Sequence, residues 1–230
     1  MKKKSNRPPF PWPSVSALLF TAAVLTASVI VYSSGQKERI LRDAVTEMEA
    51  VANLKAEQVS DWRSERLNDA TLIHENVTLV EHIDAMFIKD DSRSEKSRLE
   101  QLLNTLIKNY DFGGAVLVDA GGNPGIGVPE SEAVMGDFLR SNVTRAIANP
   151  VISISDFHTA DVIKYLHLDL LIPMRMPYEG DTVLAGVLVL RIDPAKELFP
   201  MLSTWPTPGR TAECILFRFE GDSVIYLNGS

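Results

Sequence analysis

The longest apolar segment of the chain lies close to its N-terminus. Residues 15–32 form an uninterrupted run of 18 apolar or small side chains, VSALLFTAAVLTASVIVY. As an α-helix this run would be about 27 Å long, close to the roughly 30 Å hydrocarbon core of a membrane. Trp12 and Tyr32 lie at its two ends, where aromatic side chains favour the headgroup region. The pattern predicts a transmembrane helix over 15–32.

Charge decides the orientation of this helix. Residues 1–14 carry four basic side chains and no acidic one, and the next charged residue is Lys37. Because basic flanks stay on the cytoplasmic side, residues 1–14 are predicted to be a cytoplasmic basic tail and residues 36–230 to be exported. A cleaved secretory signal has the same basic start and remains an alternative, although the apolar run is longer than a typical signal core. Residues 183–192, a further apolar run, are too short to span a membrane, so a single pass is predicted.

A second long helix is predicted directly after the membrane segment. Residues 36–112 contain neither Gly nor Pro, which favours helix. Apolar positions recur at helical spacing and form a stripe of Leu41, Val45, Met48, Ala52, Val59, Trp62 and Ile73. Three charged residues interrupt this stripe: Lys55, Arg66 and Asp69. We expect a helix over 36–73 that pairs near the membrane with another chain, as a homodimer, or with a missing part of this protein. A solvated stalk with one packed face is the alternative.

The remaining pattern indicates an α+β domain with an antiparallel sheet. Ser92 and Glu95 have capping-box spacing and begin a helix whose apolar face is Leu99, Leu102, Leu103, Leu106 and Ile107. Further along, the periodicity predicts four strands, two helices and two turns: strands over 115–119, 151–157, 164–174 and 182–192, helices over 131–147 and 195–202, and turns over 121–125 and 179–181.

A linker separates this domain from a short C-terminal hairpin. Residues 204–210, TWPTPGR, contain two prolines and a glycine, which can neither continue a helix nor join a central strand. Residues 211–219 and 223–227 read as two strands joined by a turn over 220–222. Because two strands alone cannot bury a core, residues 211–230 are predicted to begin an incomplete second module or to dock on a neighbour.

The strand over 164–174 presents two different faces. Tyr165, His167 and Asp169 alternate along one face, which is either solvent-exposed or lines a pocket. The opposite face is apolar and is expected to pack on the long helix together with Trp62; it consists of Leu166, Leu168, Leu170 and Ile172.

Three further polar residues lie near this strand and complete a candidate ligand site. Asp156 and His158 end the preceding strand, and Arg175 lies near the hairpin turn. With Tyr165, His167 and Asp169 they would suit a small polar or anionic metabolite, with Arg175 clamping a carboxylate.

Other kinds of chemistry have little support. The formal net charge of −7 argues against a nucleic-acid partner, and a single cysteine, Cys214, excludes a disulfide framework and a multi-cysteine metal site. His74-Glu75 begins like a zinc-protease helix, but Thr78 stands where the second histidine would be needed. His74 and His82 are eight residues apart, which favours a solvated helix face over a metal pair. We therefore expect no enzyme activity, no metal and no cofactor.

The chain resembles the double Cache (PDC-type) extracellular sensors of bacteria. Besides the anchor and the long helix, the resemblance lies in the stretches GGAVLVDAGGNPG (113–125), HLDLLIPMR (167–175), GVLVLRIDPAKELFP (186–200) and TWPTPGRTAECILFRFEGDSVIYLN (204–228). The last stretch is similar to the junction between the membrane-distal and membrane-proximal modules of sensors that precede histidine kinase or diguanylate cyclase domains. The resemblance covers roughly residues 10–228.

The resemblance implies a location, an architecture and a function. It implies a bacterial inner-membrane protein with residues 36–230 in the periplasm, and a membrane-distal Cache-like domain over 36–203 whose PAS-like sheet holds a ligand cavity on the face away from the long helix. Complete members continue with the rest of the second module, another membrane helix and an output domain, so a truncated receptor is implied. A ligand-sensing receptor region and an anchored binding or structural protein without output are both open. A reading frame downstream that begins with the rest of the module would favour the receptor.

The predicted topology has a direct test. A reporter enzyme that works only in the periplasm, fused after Ser230, is expected to be active because the four basic residues keep the N-terminus in the cytoplasm. A silent fusion, together with an active cytoplasm-specific reporter at the same position, would reverse the orientation.

Overall fold

A computed structural model describes residues 12–87, 92–160, 164–178, 180–205 and 213–228. The chain divides into two compact units, Met1–Leu54 and Lys55–Ser230. Most of the predicted basic tail, the side chain of the predicted cap Ser92, Glu179 of the predicted turn and residues 206–212 lie outside the described part.

In its described residues, the first unit is the N-terminal part of helix α1, which extends from Trp12 to His74. Within the described residues, this one helix is long and apolar enough to cross a membrane, and the side chains of its apolar window are exposed, which fits a transmembrane segment. The helix continues through residues 33–35 between the predicted anchor and the predicted stalk. Ser33 and Ser34 donate hydrogen bonds back to Ile30 O at 3.0 and 2.8 Å, and one glycine in a helix costs only about 1 kcal/mol.

A five-stranded antiparallel sheet is the centre of the second unit. Its strand order is β2-β1-β5-β4-β3. The strands are β1 (Gly114–Asp119), β2 (Pro124–Val128), β3 (Ser153–Ile154), β4 (Leu168–Tyr178) and β5 (Asp181–Ile192). The helices of this unit after α1 are α2 (Val77–Phe87), α3 (Ser92–Tyr110), α4 (Asp137–Ala148) and α5 (Leu198–Ser203), and a 3₁₀ turn occupies Glu130–Ala133.

The sheet buries both of its faces. On one face, Trp62 and Ile73 of α1 pack with residues of α2, α3 and the sheet in the main core. On the other face, Leu139, Val143 and Ala146 of α4 cover a smaller core. The α+β class predicted from the sequence is therefore confirmed.

The predicted apolar face of β4 packs as expected at three of its four positions. Leu168, Leu170 and Ile172 share the main core with Trp62, whereas Leu166 precedes the strand and is half-buried. The face of α3 is less uniform, because Leu99 and Leu103 are fully buried while Leu102 is 37% exposed.

The structure corrects several predicted boundaries. The Gly- and Pro-free segment breaks after His74, because the side chain of Asn76 accepts a hydrogen bond from Leu79 N (3.0 Å) and starts α2, which the sequence pattern did not predict. Strand β2 was also missed. The strand expected over 151–157 is only two residues long, and the helix expected over 131–147 divides into the 3₁₀ turn and α4.

The C-terminal hairpin is formed by β6 (Phe217–Glu220) and β7 (Ser223–Tyr226). Its base contacts the rest of the second unit, because Cys214 and Leu216 pack against the main core and Arg218 Nη1 donates to Phe157 O at 2.5 Å. Its tip is different, since Phe219 and Val224, which pair close to the turn, are 73% and 42% exposed. That the hairpin begins a second module remains a prediction.

The shared core of β4 and α1 predicts a large effect of one charge. Leu168→Asp should lower the free energy of unfolding by about 3 kcal/mol or more, because an unpaired carboxylate would be buried beside the core that contains Trp62. The matched control, Leu72→Asp at a position that is 62% exposed, should change it by no more than about 0.5 kcal/mol. Equal urea midpoints for the two variants would contradict this packing.

Candidate functional site

A cluster of charged and polar side chains is buried on the α4 face of the sheet. Asp169 of β4 and Arg191 of β5 are directly opposite each other in the antiparallel register. Asp169 lies two residues from Leu171 on β4, and Arg191 lies two residues from Val189 on β5. Because Leu171 and Val189 pack under α4, the side chains of Asp169 and Arg191 point to that same face. His167 precedes Asp169 by two positions, and the side chains of His167 and Asp169 are fully buried.

The guanidinium of Arg191 contacts three other members of the cluster. Its Nη1 lies 3.3 Å from Asp169 Oδ1 and 3.0 Å from His167 Nε2, and its Nε contacts Glu132 Oε2. Arg191 is only 1% exposed. A buried guanidinium is costly unless it is paired on several sides, and the planar fork of arginine suits such paired carboxylates.

Glu132 reaches Arg191 from outside the sheet. It lies on the 3₁₀ turn, and its chain passes over Gly114, where a Cβ would come within 2.9 Å of Glu132 Cγ. Glycine at position 114 therefore leaves the space that the glutamate occupies. Burial raises the pKa of the Glu132 carboxyl, while the positive charge of Arg191 opposes this rise.

His158 closes the other side of the cluster. It forms an isolated antiparallel bridge with His167, with N···O distances of 3.0 and 2.9 Å between their backbones. Its Nε2 lies 3.1 Å from Asp169 Oδ2, at ion-pair distance although the two atoms are not aligned for a hydrogen bond. The imidazole ring also packs on Phe138 of α4, with ring centroids 4.1 Å apart.

The contacts of His167 determine its tautomer. Its Nδ1 is 2.9 Å from the carbonyl oxygen of Tyr165, which can only accept, so Nδ1 carries the proton. Its Nε2 then accepts from Arg191 Nη1. Burial lowers the pKa of His167, in agreement with a neutral ring beside a permanent cation.

The geometry of three of these residues also suits a divalent metal. His158, His167 and Asp169 offer ligand atoms that all lie within 4.8 Å of one another. However, the Nε2 lone pair of His167 that a metal would need already accepts from Arg191, and the same guanidinium faces Asp169. The protein itself supplies the cation at this position.

The predicted ligand residues fall in different places. His158, His167 and Asp169 meet in the cluster, and Tyr165, 40% exposed, adjoins it through its contact with the ring of His167. Asp156 is exposed and lies 3.4 Å from Arg218 of the hairpin.

Arg175 lies apart from the cluster, contrary to the expected clamp. It is six residues beyond Asp169 on the extended strand β4, about 20 Å away. It is exposed and lines a separate groove of about 460 Å³ with His74, Glu81 and Asp84. One small ligand cannot touch both Arg175 and Asp169.

His74 and His82, for which a solvated helix face was expected, each contact another group. His74 Nδ1 lies 2.7 Å from Pro173 O, whereas His82 Nδ1 lies 2.6 Å from Glu95 Oε2. The break between α1 and α2 places the two rings against different elements.

Two central residues were missed in the sequence. Arg191 carried a usable signal, since it is a charge at the end of an apolar strand and shares the alternation of Val187 and Val189. Glu132 carried none, because its segment reads as an ordinary polar helix.

Comparison with known proteins identifies the fold. No protein-family model and no curated protein sequence matches the chain. The sensor domain of the Vibrio cholerae histidine kinase DctB is similar, with a TM-score of 0.53 and 14% identity over 67% of this chain and 57% of that chain. The ligand-binding domain of the Campylobacter jejuni chemoreceptor Tlp3, in complex with L-norvaline, has a TM-score of 0.50 and 14% identity over 69% of this chain and 61% of that one. The chain therefore shares the fold of these two sensor domains.

The comparison confirms the predicted resemblance to Cache-type sensors at the level of fold. The chain spans about three fifths of the length of these solved domains, 57% and 61%.

The lowered pKa of His167 predicts how stability depends on pH. As the pH falls below about 6.5, His167 is protonated in the unfolded chain but not in the folded protein, because its pKa is lowered on folding. The free energy of unfolding therefore decreases as the pH falls from about 6.5 to the lowered pKa of the folded state. The raised pKa of Glu132 acts in the opposite direction, because the folded protein then takes up the proton first.

His167→Gln removes the first of these two effects. The variant should lose less stability than the wild type between pH 7 and pH 5, by up to about 1.4 kcal/mol for each pH unit in the window, when unfolding is followed by urea titration. Parallel stability curves for the two proteins would show that His167 does not titrate differently on folding.

Proposed function

We propose that this chain is the extracytoplasmic ligand-sensing region of a bacterial signal-transduction receptor, anchored in the inner membrane by the N-terminal part of α1. The sensor fold and the exposed apolar helix support the receptor assignment. The observation that carries the proposal is the cluster centred on Arg191, which gathers two carboxylates and two imidazoles on the sheet face covered by α4. Such convergent polar groups are typical of a small-molecule site.

The ligand that suits this site is a small polar or anionic metabolite. Arg191 offers a planar fork that pairs with carboxylates, and Tyr165 adds a partly exposed hydroxyl next to His167. The Tlp3 domain of similar fold is in complex with L-norvaline, a molecule that carries a carboxylate.

A signal from this site would reach α1 through α5. Strand β5 ends at Ile192, directly after Arg191, and Glu197 lies six residues beyond Arg191. Glu197 Oε2 accepts from Trp62 Nε1 at 3.0 Å, and Lys55 Nζ donates to Met201 O and Thr204 O at 2.7 and 2.6 Å. A displacement at the end of β5 would therefore pull on buried contacts of α1. A ligand shifts such an equilibrium only if it binds one arrangement more tightly than the other.

The long helix would also join two copies of the receptor. Within the first unit, four large apolar side chains beyond the membrane segment are more than half exposed: Ile40, Leu41, Val45 and Met48. An apolar stripe on a helix needs a covering partner, and we propose a second copy of α1.

Ligand binding is tested by thermal unfolding of the purified chain against a panel of carboxylates, amino acids and phosphate. At a concentration of about 100 times Kd, a true ligand should add about 2.7 kcal/mol and raise Tm by several degrees. Tyr165→Phe should weaken binding by up to about tenfold through the loss of one hydrogen bond. Tyr178→Phe, an exposed tyrosine at the other end of β4, is the matched control and should bind as the wild type does.

Two results would contradict the proposal. One is that no compound of the panel raises Tm. The other is that a compound raises Tm equally in the wild type and in Tyr165→Phe while Tyr178→Phe loses the effect, which would place the ligand at the far end of β4.

A further inference from the structure

Glu132 occupies the position on Arg191 that the carboxylate of a ligand would take. Its Oε2 contacts Arg191 Nε, and the residue is 6% exposed. The second carboxylate on the same guanidinium, Asp169, comes from the neighbouring strand. Arg191 is thus held from one side by the sheet and from the other by a residue that does not belong to the sheet.

The attachment of Glu132 differs from that of the other cluster members. Asp169 and Arg191 belong to paired strands, and His158 and His167 are joined by a backbone bridge. Glu132 lies on a single 3₁₀ turn, and two backbone hydrogen bonds of this segment are internal: Glu132 N to Pro129 O (2.8 Å) and Val134 N to Ser131 O (3.5 Å). Lifting the turn would leave these two bonds intact.

The turn packs on β2 at one position, where a Cβ at Gly127 would come within 2.3 Å of Ala133 N, and is exposed on its outer side. Glu130 and Ser131 are exposed, and Val134 is 53% exposed. Gly136, between the turn and α4, would have no atom within 4 Å of an added Cβ. Displacement of the turn would therefore break the buried ion pair of Glu132 with Arg191 and open the contact between Ala133 and Gly127.

Electrostatics favours replacement of Glu132 by another carboxylate over release of Glu132 alone. If Glu132 left without a replacement, Arg191 would remain buried with one carboxylate fewer, and breaking a buried pair is strongly unfavourable. If a second carboxylate entered, the charge on each side of the guanidinium would be unchanged. A ligand with a carboxylate can therefore open the turn, whereas an uncharged molecule of the same shape cannot compensate Arg191.

We propose that Glu132 is a tethered substitute for the ligand, and that a small carboxylate binds Arg191 by displacing Glu132 together with the 3₁₀ turn. This inference rests on the proposed sensing function and names the chemical class of the ligand and the residue with which it competes. Phe138, which packs on His158, lies six residues after Glu132, so the displacement would also reach α4.

The first test compares carboxylate binding in the full chain and in two variants. Acetate and succinate are titrated as probes, with acetamide as the uncharged analogue of acetate. Glu132→Gln removes the competing charge and should lower the apparent Kd for at least one carboxylate about tenfold or more, as expected if the closed turn is at least nine-tenths populated. Glu130→Gln, an exposed glutamate on the same turn, should bind as the wild type does.

The second test remains informative if Glu132→Gln folds poorly. Glu132→Ala removes Cγ and the carboxylate, which together match a molecule of acetate. Acetate should raise the Tm of Glu132→Ala saturably and more than it raises that of the wild type. Acetamide at the same concentration should not.

The outcomes separate this inference from the proposed function. If folded Glu132→Gln binds carboxylates no better than the wild type, or acetate fails to rescue Glu132→Ala, Glu132 is a structural ion pair and the inference is wrong. If amino acids or phosphate stabilise the wild type and Tyr165→Phe weakens that effect while Glu132→Gln does not change it, the inference fails and the sensing function stands. If no compound stabilises any variant, both fail.

Discussion

The buried positive charge of Arg191 is the constraint around which the second unit is organised. It lies at the end of a central strand, 1% exposed, under a layer of helix. Such a charge requires partners, and each neighbouring feature supplies one or makes room for one. Asp169 faces it across the ladder, His167 is held as the tautomer that accepts its hydrogen, and Gly114 leaves space for Glu132. The same arrangement makes the site suitable for an anion, because one of the two carboxylates comes from a turn that lies outside the sheet.

The two faces of the sheet therefore differ in the polarity of the side chains that they bury. The face toward α1, α2 and α3 is apolar and supplies the main core. The face toward α4 is apolar only in part, since the strand ends place charged groups beyond the small core of Leu171 and Val189. Most of the buried apolar side chains lie on one side of the sheet, and the other side carries the polar groups that a ligand could use. The end of β5 lies between the charged cluster and α5, so a change in the cluster has a short route to the contacts that hold α1.

Periodic features of the sequence predicted the fold well, and long-range pairing limited the prediction of the site. The 18-residue apolar run, the alternation in β4 and the apolar strand β5 are local patterns that one sequence shows directly. The pairing of Asp169 with Arg191 depends on a register shift between Met174 and Arg175, which no local pattern reveals. Arg175 is close in sequence to the predicted site but lies in another groove, because β4 is extended and carries it about 20 Å from Asp169. Glu132 could not be found because its role arises only when the turn folds over Gly114.

The coupling between Arg191 and Asp169 tests most directly whether the sheet is organised around this buried charge. In a double-mutant cycle, Arg191→Met, Asp169→Asn and the double variant are compared with the wild type by urea unfolding. We expect a coupling free energy of about 1–3 kcal/mol, because either single change leaves a buried partner with one opposite charge fewer. The control cycle of Asp169 with the exposed Arg140 should be additive within about 0.5 kcal/mol. Additivity in the Arg191–Asp169 cycle would show that the two groups do not depend on each other, and would contradict a sheet organised around this buried charge.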